Sequence, residues 1–239
     1  KPSLRSTLVL IPRQASRMSG ANTRSHKSSV QNGPDATLDE ISALLKARKS
    51  VVMITGAGLS AASGIPPFRG TSDAVWSVST TSMGRRSTFL RDPLRWYNDF
   101  WLRQFPLSYT RKAPNAGHEA HQKTTAAWPD TSRLIEVHGR LGLYKCVSEE
   151  AGCPFAEEKE IPQSSFTETV QRGLEGGADN QLEETPSCPF CGRPASPMAL
   201  LFDEDYDSHS FFEFERAQEW MAEADAFIFV GTSYAVTLT

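Results

Sequence analysis

Residues 51–70 read VVMITGAGLSAASGIPPFRG, an apolar run that leads directly into a glycine-rich turn. Short apolar runs of this kind are typical of strands buried in a parallel sheet, whose ligands collect at the carboxyl ends of the strands. Gly56, Gly58 and Ala61 match the G-x-G-x-x-G/A pattern, in which backbone N–H groups and a helix N-terminus bind a pyrophosphate. The pattern alone is a weak indicator of a dinucleotide, and a tight turn without a ligand is the alternative.

A second strand of the same kind lies near the other end of the chain. Residues 226–230 read AFIFV and run directly into Gly231, Thr232 and Ser233. Because the carboxyl ends of parallel strands meet at one edge of a sheet, we expect this turn and residues 56–60 to share one rim. The predicted fold class is α/β, with a Rossmann-like, doubly wound parallel sheet.

Helical patterns precede both strands. Residues 37–48 carry apolar side chains on one face behind a Thr-x-x-Glu capping box, and Ser210 with Glu213 forms a second box. Residues 71–90 have no clear period and are predicted as a loop or insertion. Residues 93–105 carry aromatic side chains at helical spacing, either as part of the core or as the wall of a substrate pocket.

An ordinary dehydrogenase is not favoured. Hydride-transferring Rossmann enzymes place an acidic residue about 20 positions after the glycines, at the end of a second strand. Asp73 is the only candidate, and it lies in a Thr-Ser-Asp sequence with no predicted strand before it. A dinucleotide bound at the glycine turn would therefore serve a different chemistry.

The four cysteines, which are the chain's entire supply, fall in two pairs. Cys188 and Cys191 form a C-x-x-C knuckle, and Cys146 and Cys153 form a wider pair. Two close pairs of thiolates fit a tetrahedral structural zinc site with no open position for a catalytic water. Disulfides are the alternative, although nothing in the sequence indicates secretion. The polar residues between the two pairs are predicted to be loop-like.

One histidine interrupts an apolar run. His138 lies in RLIEVHGRLGLYKC, at the end of a predicted strand, where a lone histidine is more often structural than catalytic. The other histidines have polar neighbours and are predicted at the surface: His26, His118, His121 and His209.

The composition excludes some partners and leaves the location open. The formal net charge of −3 provides no field for nucleic acid or an anionic membrane, and no apolar run approaches membrane-spanning length. Residues 1–34 contain six Lys or Arg and no Asp or Glu. This composition suits a mitochondrial transit peptide or an ordinary disordered tail, with a cytoplasmic or nuclear location as the alternative to a mitochondrial one.

Five motifs occur in the order found in sirtuins, the NAD-dependent protein-lysine deacylases: GAGLSAASGIPPFRG, PNAGHEA, EVHG, the paired cysteines with CPFCGRPASPMALLFDE, and FVGTSYAV. The chain resembles this family over about residues 38–239. The resemblance implies that NAD is consumed as a substrate and that a structural Zn²⁺ is held by the four cysteines. It also implies an acyl-lysine protein or peptide as partner, with nicotinamide, O-acyl-ADP-ribose and free lysine as products.

The resemblance implies two modules after a basic tail or transit segment at 1–36. The Rossmann-like NAD-binding domain comprises 37–142 and 197–239, with a helical or loop insertion at 71–112. A small zinc-binding module comprises 143–196.

By motif, the family's general base matches His138. The NAD-binding positions implied by the resemblance are Gly56, Ala57, Gly58, Ser60, Ile65, Pro66, Phe68, Arg69, Gly231, Thr232 and Ser233.

Substrate positions follow from two further matches. Residues 199–205, ALLFDED, occupy the place where the family pairs an extended peptide as an added strand, which implicates Phe202, Asp203 and Glu204. Phe100 and Arg103 fall near a tyrosine and an arginine with which some relatives hold acidic acyl groups. The acyl preference therefore stays open between acetyl and succinyl or malonyl.

The sequence departs from the family pattern in three places. Residues 121–134 lack the Gln-Asn-x-Asp motif that engages ribose and nicotinamide, the chain ends at Thr239, and Pro67 replaces a polar residue. We therefore interpret the sequence as an incomplete Rossmann-like domain of a spliced, truncated or incompletely predicted family member. The alternative function is a catalytically impaired protein that binds ADP-ribose, NAD or a protein partner without turnover.

Overall fold

The structure is a computed structural model that describes residues 7–9, 34–47, 50–67, 78–120, 134–148, 152–177 and 181–232. The strands are β1 (Thr7–Val9), β2 (Val51–Thr55), β3 (Gly139–Cys146), β4 (Ile161–Pro162), β5 (Ala195–Ala199) and β6 (Ala226–Val230). The α-helices are α1 (Pro34–Lys46), α2 (Val78–Met83), α3 (Arg86–Arg91), α4 (Pro93–Trp96), α5 (Leu102–Gln104), α6 (Pro154–Glu157), α7 (Glu168–Gly176) and α8 (Phe214–Glu223).

The first sheet confirms the predicted parallel pair. β2 and β6 run parallel and in register from Val51 opposite Ala226 to Thr55 opposite Val230. β1 lies antiparallel to β6 along all three of its residues. We expected strands buried on both faces, and this expectation is wrong: between Val51 and Ile54 the side chains are only half-buried. Among the described residues, β1 is the one further strand that pairs with them, and it pairs with both.

The second sheet carries the cysteine module. Its strand order is β4-β3-β5, with both pairs antiparallel. It lies in the range predicted for the zinc module and extends beyond that range at both ends, to Gly139 and Ala199. The residues between the cysteine pairs are not loop-like, because they form α6, β4 and α7. Burial of Ile161 and Leu174 gives this segment its own apolar contacts.

The aromatic stretch at 93–105 is part of the core. α4 begins behind Asp92, whose carboxylate accepts the Arg95 N–H, and continues through a π-helical turn at Tyr97–Trp101 into α5. The Trp96 ring meets the Phe89 ring edge to face at 5.1 Å. The Tyr97 hydroxyl donates to the carbonyl of Ala195 on β5 at 2.8 Å. The helical stretch at 93–104 is therefore hydrogen-bonded to β5 of the second sheet.

Three local predictions need correction. The stretch predicted as a loop at 71–90 is largely helical where the structure describes it: α2 and α3 flank a turn at residues 84–85, and Phe89 of α3 is buried in the aromatic core. α1 begins at Pro34 rather than at the predicted box, since proline is preorganised for the first helical turn. α8 begins at Phe214: Glu213 adopts a left-handed conformation (φ 45°) and its carboxylate binds Arg216 at 2.7 Å instead of capping the helix.

Within the described ranges, none of the helices is both long enough and apolar enough to span a bilayer.

Candidate functional site

The glycine turn packs directly against the end of β6. The Gly56 N–H donates to the Val230 carbonyl at 3.0 Å, and the Gly58 N–H donates to the Gly231 carbonyl at 2.9 Å. A Cβ on Gly56 would lie 2.1 Å from the Gly231 oxygen, so glycine is required for this close approach. Gly231 itself has a φ of 66°. The two turns share one rim as expected, but two amides expected to face a phosphate bind carbonyls instead.

Other polar groups on this rim have the capacity to hold a ligand. Ala57 begins a 3₁₀-helix at Ala57–Ser63, whose first N–H groups have no partner within the helix. Thr55, at the end of β2, is 2% exposed, and among the described residues its hydroxyl oxygen is buried with no hydrogen-bond partner. A buried hydroxyl is costly to leave unpaired. These groups fit a bound dinucleotide, which would satisfy them with its own polar atoms.

The segment PNAGHEA holds the helix that follows the turn. The Asn115 amide donates to the Leu59 carbonyl at 2.7 Å and to the Ser63 hydroxyl at 3.2 Å. The buried Ser60 hydroxyl lies 3.3 Å from His118 Nε2. Asn115 and His118 thus support the predicted NAD site, although neither was among the predicted site residues. Their spacing of three was the available signal, since the side-chain Oδ1 of Asn115 also accepts the N–H of His118.

Two histidines were wrongly predicted at the surface. His118 is half-buried against the glycine turn, and His209 is 1% exposed. His209 Nε2 lies 3.3 Å from the Lys159 carbonyl, and its Nδ1 accepts the Phe211 N–H at 3.1 Å. Polar sequence neighbours did not indicate burial, because Ser60 and the Lys159 carbonyl, which contact these histidines, lie 58 and 50 positions away in the chain.

The loop after the glycine turn is described only in part. Ile65 is buried, and Pro66 and Pro67 are half-buried. The predicted NAD-binding residues Phe68, Arg69 and Ser233 lie outside the described residues, as do 121–133 of the segment lacking the Gln-Asn-x-Asp motif.

His138 lies immediately before β3, in a turn closed by a hydrogen bond from the Gly139 N–H to the Glu136 carbonyl at 2.8 Å. Glu136 is buried and forms an ion pair with Arg140, which explains the arginine two residues after the histidine. Burial lowers the pKa of His138, so its imidazole is neutral at physiological pH and able to accept a proton.

The predicted peptide-binding segment begins beside the histidine. The Leu200 N–H donates to the His138 carbonyl at 3.2 Å, and the Phe202 N–H donates to the Gly84 carbonyl at 3.0 Å. Phe202 is exposed, as a contact residue should be. The carboxylate of Asp203 instead accepts the N–H groups of Arg86 and Ser87 and so caps α3.

The side chain of Glu204 is buried. One carboxylate oxygen lies 2.8 Å from Lys145 Nζ and also accepts the Leu201 N–H at 3.0 Å. Both charged side chains are 4% exposed. Burial lowers the pKa of Lys145, while the Glu204 carboxylate opposes that shift. The predicted substrate residues Asp203 and Glu204 therefore fix the segment in place.

The two positions predicted to recognise an acyl carboxylate differ in exposure. Phe100 is 5% exposed and packs in the aromatic core, with its ring 5.2 Å from Trp96. Arg103 is exposed, and its Nε donates to the Asn98 carbonyl at 3.1 Å.

The structure confirms that the four cysteines cluster. Their sulfur atoms all lie within 4.8 Å of one another, with Cys146 3.4 Å from Cys191 and Cys153 3.7 Å from Cys188. All four are free thiols, so the disulfide alternative is wrong. The 188–191 knuckle is closed by hydrogen bonds from the Cys188 N–H to the Arg193 carbonyl and from the Gly192 N–H to the Cys188 carbonyl.

This donor set fits zinc. Tetrahedral zinc at about 2.3 Å from each sulfur separates the sulfurs by about 3.8 Å, close to the 3.7 Å between Cys153 and Cys188 and within the 4.8 Å that spans the cluster. Burial raises the pKa of the Cys146 and Cys153 thiols. A bound cation would supply the positive charge that favours their thiolate forms.

Comparison with known proteins identifies relatives of this chain. It is 39% identical over 209 residues to the NAD-dependent deacetylase sir2E of Dictyostelium discoideum, a match that covers 80% of this chain and 60% of that protein. It is 30% identical over 213 residues to an NAD-dependent protein deacylase of Pyrococcus abyssi, a match that covers 81% of this chain and 76% of that protein. The chain thus spans about three fifths of the length of the Dictyostelium relative. No family model matches the chain.

Solved structures show the same fold. A mutant Sir2 homologue in complex with ADP-ribose matches with a TM-score of 0.53 at 22% identity, covering 76% of this chain and 69% of that one. A Sir2 mutant with p53 peptide and NAD matches with a TM-score of 0.54 at 20% identity, covering 83% of this chain and 77% of that one.

Parallel strands ending in a shared glycine rim, joined to a four-cysteine module, define the Sir2-like α/β class of fold. The sequence relatives establish the family as well as the fold: the chain belongs to the sirtuin family.

Proposed function

We propose that this protein is an NAD-dependent protein-lysine deacylase that transfers the acyl group of a modified lysine to ADP-ribose. The observation that carries the proposal is the hydrogen bond between Leu200 and His138. It joins the matched general base to the segment that would bind the acyl-lysine peptide. Relatives named NAD-dependent deacetylase and deacylase support the same reading.

The glycine rim would hold the dinucleotide. The buried Thr55 hydroxyl, for which the described residues offer no hydrogen-bond partner, would bind a polar atom of the dinucleotide, whereas the Gly56 and Gly58 N–H groups already donate to the Val230 and Gly231 carbonyls. Ser60, fixed by His118, and Thr232 would line the same rim. NAD, when bound, supplies a ribose C1′ that the acyl oxygen attacks as nicotinamide leaves.

His138 would act as the general base. Its neutral imidazole accepts a proton from a ribose hydroxyl, which then attacks the acyl carbon. Burial suits this role, because it keeps the imidazole unprotonated before the transfer. A general base of this kind contributes roughly 10²- to 10⁴-fold to a rate.

The peptide would lie along residues 199–205 and pair with the carbonyl groups of that segment, because the N–H groups of Leu200 and Phe202 already donate to His138 and Gly84. β-Strand addition uses main-chain hydrogen bonds for affinity, so the acyl-lysine matters more than its neighbours. Asp203 and Glu204 hold the segment by caps and ion pairs, and the exposed Phe202 ring is the side chain that would contact the peptide. A Sir2 structure with this fold contains a p53 peptide and NAD.

We propose an acyl-group preference from the exposure of the Arg103 side chain. An exposed guanidinium would favour the carboxylate of a succinyl or malonyl group. Phe100 is buried, so it would affect this preference only indirectly, by packing the helical turn that precedes Arg103. Comparing acetyl, succinyl and malonyl peptides with Arg103→Ala tests the assignment, since only acidic acyl groups should lose rate.

Zinc would be structural. Four sulfur ligands complete a tetrahedron and leave no position for a reacting water. Its role here is to hold β3 and β5 together, and with them the turn that carries His138 and the segment that begins at Leu200.

A mitochondrial location is proposed from the basic, acid-free residues 1–34. Removal of a leader of this length would also remove β1, which pairs with β6. Mass spectrometry of the protein from fractionated cells tests this, because an organellar product without residues 1–34 supports import and an intact cytosolic product contradicts it.

The activity is tested by nicotinamide release from NAD in the presence of acyl-lysine peptide. The protein should release nicotinamide only when the peptide is acylated, and His138→Ala should lose at least about 100-fold of this rate. The matched control is His209→Gln, a buried histidine outside the site. ADP-ribose binding without turnover would contradict the proposal and favour the non-catalytic alternative.

A further inference from the structure

His138 is held by a side chain that no motif indicated. Its Nε2 lies 3.2 Å from the hydroxyl oxygen of Tyr206, 68 residues further along the chain. The two rings are 5.8 Å apart at an interplanar angle of 47°, so the contact is a hydrogen bond between edges rather than a stack. Tyr206 directly follows the proposed peptide segment.

Tyr206 is itself fixed. Its ring stacks on Phe214, the first residue of α8, with centroids 4.8 Å apart and planes inclined by 19°. The side chain is half-buried, and burial raises the pKa of its phenol. The hydroxyl therefore stays protonated through the neutral range, where it can donate or accept but carries no charge.

A histidine acts best as a general base when one of its two ring nitrogens is hydrogen-bonded to another group. In hydrolytic triads a third group binds one imidazole nitrogen, which sets the tautomer and leaves the other nitrogen to take the proton. If Nε2–H donates to the Tyr206 oxygen, Nδ1 carries the lone pair. The same bond persists and strengthens when the ring is protonated, because its donor is then charged.

We propose that Tyr206 is a positioning residue for the general base, which orients the His138 imidazole through Nε2 and leaves Nδ1 to accept the ribose proton. The inference rests on the proposed deacylase function for its catalytic consequence. The hydrogen bond and its effect on the imidazole are properties of the free protein and are testable without turnover.

The geometry also links the base to substrate binding. Leu200, near the start of the proposed peptide segment, binds the His138 carbonyl, and Tyr206, just after its end, binds the His138 imidazole. A peptide pairing with this segment would therefore stiffen both supports of the base. Among the described residues, the charged side chains near this contact include Glu136 and Arg140, which pair with each other, and the exposed Asp205 and Asp207. Asp203 caps α3, Glu204 pairs with Lys145, Glu213 pairs with Arg216, and Glu215 is exposed.

The first test is the titration of His138 by NMR in protein labelled at the imidazole carbons. The chain has five histidines, and the His138 signal is identified by its loss in His138→Gln. Tyr206→Phe removes the hydroxyl and keeps the ring, so the pKa of His138 should fall further, since the charged form loses its stronger bond. An unchanged His138 titration in a folded Tyr206→Phe protein overturns the proposal, whatever the enzyme activity.

The second test is kinetic. Tyr206→Phe should lower kcat about 10-fold while leaving the KM for NAD within about 2-fold, and the acid limb of the rate profile should move to lower pH. Tyr109→Phe is the matched control, because it removes a tyrosine hydroxyl from the Leu107–Arg111 helix, away from His138. An unchanged or raised kcat in Tyr206→Phe contradicts a positioning role.

A further variant separates positioning from folding. Phe214→Leu keeps the Tyr206 hydroxyl but removes the ring on which it stacks, so its kcat should lie between wild type and Tyr206→Phe. If the wild-type protein releases no nicotinamide while Tyr206→Phe shifts the His138 titration, the deacylase proposal fails and the positioning contact stands. If turnover occurs and the titration does not move, the positioning role alone fails.

Discussion

Lys145 Nζ lies 2.8 Å from a Glu204 carboxylate oxygen, with each side chain 4% exposed, and this ion pair joins the cysteine module to the segment that follows β5. Arg86 adds a second cation, 3.8 Å from the other carboxylate oxygen, and donates to the Val147 carbonyl. Three separate segments of the chain thus meet at one buried carboxylate.

Removing one partner should destabilise the fold strongly. Glu204→Gln leaves Lys145 buried without its counter-charge, and breaking a buried pair in this way typically costs about 3–5 kcal/mol. The double variant Lys145→Met with Glu204→Leu should recover most of this loss. Chemical denaturation of the three proteins checks the prediction, and a Glu204→Gln protein as stable as wild type would contradict it.

Gly56→Ala should disrupt the close contact between the glycine turn and Gly231. Its methyl group would lie 2.1 Å from the Gly231 oxygen, a backbone atom that cannot rotate away. We expect a loss of stability of about 3 kcal/mol, the upper end for overpacking, together with weaker ADP-ribose binding. Calorimetry of folded protein measures both. Ala62→Ser, at an exposed position of the Ala57–Ser63 helix and outside the glycine motif, is the control and should bind ADP-ribose as wild type does.

Zinc removal should unfold the cysteine module, because metal binding free energy is folding free energy in small metal sites. Cys188→Ser should lower the zinc content from one per chain and make the 139–199 region sensitive to protease. Ser187→Ala changes the exposed neighbouring residue and should keep both the metal and the resistance. Full zinc content in Cys188→Ser would show that the four sulfurs do not act together.

Stability should fall as the pH decreases through about 6.5. Burial and the Lys145 charge lower the pKa of His209, and burial lowers that of His138. The unfolded chain, with ordinary histidine pKa values near 6.5, binds more protons in this range, so acid favours unfolding. His209→Gln should flatten the decline in melting temperature between about pH 7.5 and about pH 5.5. Zinc content measured in the same samples separates this effect from protonation of the cysteines.

The parts of the fold that were predictable rest on local patterns. The strand at 226–230 and its parallel partner after Ser50 were readable because apolar runs ending in glycine leave few alternatives. The cysteine cluster followed from the paired spacing, since a C-x-x-C knuckle and a second, wider pair of thiolates fit a four-ligand metal site.

The parts that were missed depend on contacts between distant residues. Lys145 and Glu204 are 59 positions apart, and His138 and Tyr206 are 68 apart, so no local sequence pattern predicts either contact. Glu213 was missed for a local reason: it matched a capping box but adopts a left-handed conformation, and its carboxylate binds Arg216.

The central claim is tested most directly by identifying the acyl acceptor. Mass spectrometry of a reaction containing NAD and an acyl-lysine peptide should show O-acyl-ADP-ribose appearing in step with free lysine and nicotinamide, with all three absent from the His138→Ala reaction. Free lysine peptide formed together with free carboxylate and no acylated ADP-ribose, or no acyl-dependent product from folded, zinc-loaded protein, would contradict the account.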